Sequence, residues 1–189
     1  MAEPDSAIDA LLEVVDAFRQ ADVTFMIVGG FAVMAHGRPR TTADIDVSVH
    51  LGFSERSRLQ PIVERLGDGE VEKRSDPQWG KRLVTTHPSG LDLEVFFTAG
   101  HPLYEREFDR RVEITLEGES APFISPEDLV LRKLVNTKKR AGPDLDDAHA
   151  VALTQGEDLD FDYLYEHCVV QRVCGLVDEL AETVDADEG

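Results

Sequence analysis

The sequence predicts an α+β protein in which a mixed sheet flanked by helices is followed by a helical C-terminal region. Three observations carry that expectation. A short apolar run at 24–28 stops at Gly29-Gly30 and passes directly into helical spacing. Residues 43–50 alternate strictly between apolar and polar, and from Asp144 to about Val184 the pattern is helical only. The expected division is a core over residues 1–120 and a helical region over 121–189 packed on it.

Residues 6–20 place Ile8, Leu11, Leu12, Val15 and Phe18 on one helical face, with Ser6 as N-cap. A strand at 24–28, the glycine pair, and a helix through FAVMAHG closed by Gly37 follow in succession. In the strand at 43–50, Ala43, Ile45, Val47 and Val49 point one way while Asp44, Asp46 and Ser48 point the other. Residues 54–66 read as a helix, 81–87 and 91–97 as a hairpin joined through Pro88-Ser89-Gly90, and 110–118 as a further strand. Ser125-Pro126-Glu127-Asp128 combines an N-cap serine, a first-turn proline and first-turn acids, predicting a helix that runs to about Arg140.

Composition narrows the function classes. The net charge is -19, and the basic residues comprise 14 arginines and 5 lysines. An acidic surface of this kind keeps a protein hydrated and self-repelling in concentrated salt, which is the composition of a halophile. It also disfavours nucleic acid held by broad counterion release, which needs a basic face. No apolar run approaches membrane-spanning length and the first residues are acidic, so a cytoplasmic protein without a membrane partner is expected. Cys168 and Cys174 are too few for a disulfide framework and have no CxxC or nearby His spacing, which fits a reducing compartment and argues against zinc.

The candidate chemistry centres on two adjoining features. Asp44 and Asp46, at i and i+2 on a strand, project from one face roughly 6–7 Å apart, a spacing that can grip one or two Mg²⁺ ions. Gly29-Gly30 lets backbone N–H groups at a helix start approach phosphate oxygens without side-chain obstruction. In so acidic a chain an Asp-x-Asp pair alone is weak, and it could be a solvated strand face. Its place directly after a strand, Gly-Gly and helix unit makes it specific. Arg38 and Arg40, in the intervening loop, suit either phosphate or a structural ion pair. The Lys138-Lys139-Arg140 run suits an RNA end or a helix terminus, and Trp79 a stacked base or ordinary packing.

VGGFAVMAHGRPRTTADIDVSV resembles the signature of the DNA polymerase β-like nucleotidyltransferase superfamily, and the chain is most similar there to small AbiEii-type and related nucleotidyltransferases. The resemblance covers roughly residues 24–153 and is most specific at its start. It implies a third acid on a neighbouring strand. GLDLEVFF places Glu94 there, with Asp92 as the alternative on the same face. It further implies two Mg²⁺ ions on Asp44, Asp46 and Glu94, with Mn²⁺ able to substitute, an NTP as substrate, and Gly29, Gly30, Arg38, Arg40 and Lys133 toward its phosphates. FISPEDLVLRKL and LDDAHAVAL carry the resemblance onward, and through it Asp147 is expected to position Lys133 or to start a helix.

The implied reaction moves an NMP to an acceptor that the resemblance leaves open: an RNA end, a protein hydroxyl or a small molecule. A cognate antitoxin-like protein and a toxin–antitoxin role belong to the same implication. The rival reading is a non-catalytic nucleotide-binding or toxin–antitoxin module of the same fold. A dinucleotide-binding unit is disfavoured because GGFAVMAHG lacks GxGxxG spacing and the acids form a paired strand motif.

Overall fold

The computed structural model describes residues 6–68, 70–76, 80–137 and 142–187. They form two compact units. One holds the described residues up to Phe31 together with Thr41–Ile124; the other holds Ala32–Arg40 and the described residues from Ser125 on.

The first unit is built on seven strands: β1 (Phe25–Val28), β2 (Asp44–Val49), β3 (Glu72–Asp76), β4 (Gly80–Thr86), β5 (Asp92–Phe97), β6 (Val112–Leu116) and β7 (Glu119–Phe123). Their order is β3-β4-β5-β2-β1-β7-β6. The sheet is mixed: β2 runs antiparallel to β1 and parallel to β5, β4 pairs antiparallel with β3 and β5, and β1 runs parallel to β7. Period-two alternation dictates the two faces. Ile45, Val47, Val49, Leu83, Leu93 and Val95 are fully buried on one. Helix α1 (Ala7–Gln20) buries Leu11, Val14, Val15 and Phe18, and the Phe18 ring meets that of Phe25 at 5.5 Å. Ser6 caps α1 by accepting from the Asp9 amide, as its position in the sequence predicts.

Helix α2 (Gly29–His36) begins at the first glycine itself, two residues before the expected start. The expected helix at 54–66 is a 3-10 turn over Phe53–Arg58 followed by α3 (Gln60–Leu66). Pro61 explains the break: it lacks an N–H and crowds the preceding turn, so it is accommodated in the first turn of a new helix. Three elements fall outside the sequence expectation: β3, α4 (Pro102–Arg110) and β7. Strand β3, EKRSD, is a charged edge strand with no apolar alternation, and β7 contains Pro122. A two-residue turn with both φ angles positive, Glu117 and Gly118, returns β6 into β7.

The second unit contains α5 (Pro126–Thr137), α6 (Pro143–Gln155), α7 (Phe161–Gln171) and α8 (Cys174–Asp187). Ser125 caps α5: its Oγ accepts from the Asp128 amide at 3.2 Å and donates to the Asp128 carboxylate at 3.1 Å. The Tyr163 hydroxyl donates to the same carboxylate at 2.6 Å and ties α7 to α5. Lys138-Lys139-Arg140 and Trp79 lie outside the described residues.

The cysteines require a correction. Cys168, at the end of α7, is joined by a disulfide to Cys174, the first residue of α8, across a turn in which Arg172 adopts the left-handed conformation. The chain reversal brings together two residues whose six-residue separation resembles no framework spacing, so the pair gives no support to a reducing compartment. Among the described residues no helix is long and apolar enough to cross a membrane.

Candidate active site

Strand register assembles the acids. In the parallel pairing of β2 with β5, Asp44 stands opposite Asp92 and Asp46 opposite Glu94. All four carboxylates therefore leave the same face of the sheet, in two adjacent rows. Across β2 the next residue in the Asp46 row is Val28, the last residue of β1, so the Gly29 turn opens at the end of that row.

The turn demands glycine for two reasons. Gly29 has φ +63°, which disfavours any side chain, and a Cβ there would lie 1.9 Å from Asp46 Oδ2. A Cβ on Gly30 would lie 2.2 Å from Thr42 Oγ1. The missing side chains are the space in which the Asp46 carboxylate and the loop before β2 are seated. The sequence pattern reads the pair as a phosphate cradle; in the structure Gly29 admits the neighbouring carboxylate.

Glu94 is half-buried and surrounded by charge. Arg82, on β4, places Nε 3.0 Å from Glu94 Oε2. Arg74, on β3, places Nη1 3.4 Å from Glu94 Oε1 and ion-pairs with Glu72 at 2.7 Å. Burial pushes the Glu94 carboxyl above the usual glutamate range, with the charges of Asp44 and Asp92 adding to the shift and the two guanidiniums opposing it. Asp92, the alternative third acid, accepts from Thr86 Oγ1 at 3.0 Å. It borders an open groove of about 590 Å³ whose charged lining is Asp68, Glu70, Glu72, Arg74 and Asp92.

Arg74 and Arg82 were not legible as site residues from the sequence. Arg82 shares the parity of the outward face of β4, but linking it to Glu94 requires the β4–β5 register. Arg74 sits on the strand that lacks an alternating pattern.

The remaining candidates belong to the second unit. Lys133 Nζ lies 2.9 Å from Asp144 and 2.7 Å from Asp147, and Arg40 also ion-pairs with Asp147. Asp147 is buried and ion-paired with Lys133. Arg38 is exposed.

Among the described residues no three His, Cys, Asp or Glu side chains converge closely enough to form a ready-made metal cage. The donor set nevertheless fits a hard divalent cation. Its members are carboxylates only, fixed in register on adjacent strands, with the Asp46 carboxylate seated against Gly29. Asp44 and Asp46, with Glu94 or Asp92, are the carboxylates that could hold a divalent cation.

A mixed seven-stranded sheet that presents paired acids beside a Gly-Gly turn defines the polymerase β-like nucleotidyltransferase fold. The chain belongs to the family described as nucleotidyltransferase of unknown function (DUF6036), whose sequence profile matches residues 6–174. No curated protein sequence matches it. Among solved structures it is similar to an antigenic nucleotidyltransferase-like protein from Paracoccidioides brasiliensis, at 18% identity and a TM-score of 0.53, covering 94% of this chain and 93% of that one. It is similar to ANT(2'')-Ia in complex with adenylyl-2''-tobramycin at 16% identity and a TM-score of 0.58, covering 93% and 98%. It also resembles the lincosamide antibiotic adenylyltransferase LnuA, lincomycin-bound, at 14% identity and a TM-score of 0.51, covering 75% and 96%. At these identities the likenesses establish the fold.

Proposed function

We propose that this protein is a divalent-cation-dependent nucleotidyltransferase that moves an NMP from an NTP to a hydroxyl of a small, cationic or neutral acceptor. The observation that carries the reading is the register of Asp44 and Asp46 with Asp92 and Glu94 beside Gly29. What supports the reading is that the carboxylates align across two strands beside a glycine whose absent side chain leaves room for Asp46.

In the reaction the acceptor hydroxyl attacks the α-phosphorus in line. A new oxygen–phosphorus bond forms, the bond to the β-phosphate oxygen breaks, and pyrophosphate leaves toward the Gly29-Gly30 turn. Asp44, Asp46 and Glu94 are the ligands for the divalent cations, which when bound supply neutralisation of the triphosphate and stabilisation of the attacking and leaving oxygens. The hydroxyl proton passes to a carboxylate of the same rows. Backbone N–H groups at the start of α2 are the donors to phosphate oxygens in this reading.

Charge supports the acceptor class. The groove bordered by Asp92 carries four acids against Arg74, and a polyanion entering it would meet like charge. The molecules bound in the ANT(2'')-Ia and LnuA structures, adenylyl-2''-tobramycin and lincomycin, are small, and an aminoglycoside-like amine is the class this groove suits. The test is transfer of α-phosphate label from each NTP, with Mg²⁺ or Mn²⁺, to a panel of aminoglycosides, RNA and protein. The proposal expects label on the small molecules with wild type and a loss of about 10²–10³-fold with Asp46→Asn. Full activity in Asp46→Asn contradicts the site, and label confined to RNA or protein contradicts the acceptor class.

A further inference from the structure

Arg74 and Arg82 stand directly opposite one another on β3 and β4, and both lean toward the Asp46–Glu94 row. Like charges at facing positions of antiparallel strands repel. Here anions accompany them: Glu94 is within ion-pair distance of both guanidiniums, and Glu72 is paired with Arg74. Arg82 and Glu94 have side-chain exposures of only 11% and 18%, so water screens their interaction weakly.

Resting on the proposed metal role of Asp44, Asp46 and Glu94, we infer that Arg74 and Arg82 are positioning residues that compete with divalent cations for Glu94. In the absence of cations the rows carry four carboxylates, and the arginines supply counter-charge at Glu94. A divalent cation approaching Glu94 meets two positive charges: Oε1 already accepts from Arg74, and Oε2 is ion-paired with Arg82. Free metal therefore binds weakly. Metal that arrives with a triphosphate carries its own negative charge, so the repulsion is cancelled and the rows load metal and nucleotide together. The arginines thereby favour delivery of cation as the NTP complex over loading from bulk solution.

The test is calorimetric titration of the full-length protein with Mn²⁺ alone, without nucleotide, alongside thermal unfolding to verify that each variant is folded. Arg74→Gln is the leading variant because its side chain is 40% exposed and its loss leaves the sheet core untouched. The expected result is Mn²⁺ affinity raised at least about fivefold in Arg74→Gln and Arg82→Gln, with Arg82→Lys, which keeps the charge, within about twofold of wild type. Unchanged or weaker Mn²⁺ binding in Arg74→Gln, with binding still lost in Asp46→Asn, overturns the inference and leaves the carboxylate rows as the metal site. Unchanged Mn²⁺ binding in Asp46→Asn overturns the metal site and this inference with it.

Discussion

The two units gather charge in opposite ways. In the helical unit, Asp144 and Asp147 are matched by Lys133 and Arg40, two acids against two bases within contact distance. In the sheet unit, Asp44, Asp46, Asp92 and Glu94 stand in register, and the two arginines concentrate on Glu94. The helical cluster pairs each of these acids with a base. The sheet rows bring four carboxylates into register on one face, and such clusters of like charge are where function concentrates.

Removing charge from the balanced cluster carries the largest expected cost. Lys133→Ala takes away the ammonium joining Asp144 to Asp147 and should lower stability by about 3 kcal/mol in denaturant titration, the cost of breaking an enclosed ion pair. A loss below about 1 kcal/mol would mean that the helical cluster is no more structural than the sheet rows. Gly29→Ala should cost about 1–2 kcal/mol, because alanine must adopt φ near +63° and displace the Asp46 carboxylate. An alanine variant as stable as wild type would show that Asp46 can move aside freely.

The smallest effect is a pH dependence. Burial raises the Glu94 pKa in the folded state above its unfolded value, so the ionised carboxylate subtracts stability at neutral pH. That loss is recovered as pH falls through the raised pKa toward the ordinary glutamate range. Glu94→Gln should therefore be more stable than wild type near pH 7, with the advantage shrinking on acidification. An advantage that grows as pH falls would reverse the assigned direction.

Much of this was legible in the sequence because the relevant signals are local. Alternation at 43–50 yields both β2 and the common face of Asp44 and Asp46, and Ser125-Pro126 yields the start of α5. The glycine pair is visible in the sequence, but its steric reason is not: Asp46 meets Gly29 only once β2 folds back on β1. Arg74 and Arg82 were illegible because their significance lies in register across three strands, one of which consists of EKRSD and carries no hydrophobic period. The Cys168–Cys174 bond was hidden for a similar reason, since it depends on a left-handed residue at the α7–α8 turn. Local periodicity specifies elements and faces, and pairing between elements specifies partners.

The most direct test of the central claim is to locate Mn²⁺ by anomalous diffraction in crystals grown with a non-hydrolysable NTP analogue. The account predicts density bounded by Asp44, Asp46 and Glu94, with the triphosphate against the Gly29-Gly30 turn. Mn²⁺ held instead by Asp68, Glu70 and Glu72 in the neighbouring groove, with the Asp44 and Asp46 carboxylates bare, would contradict it.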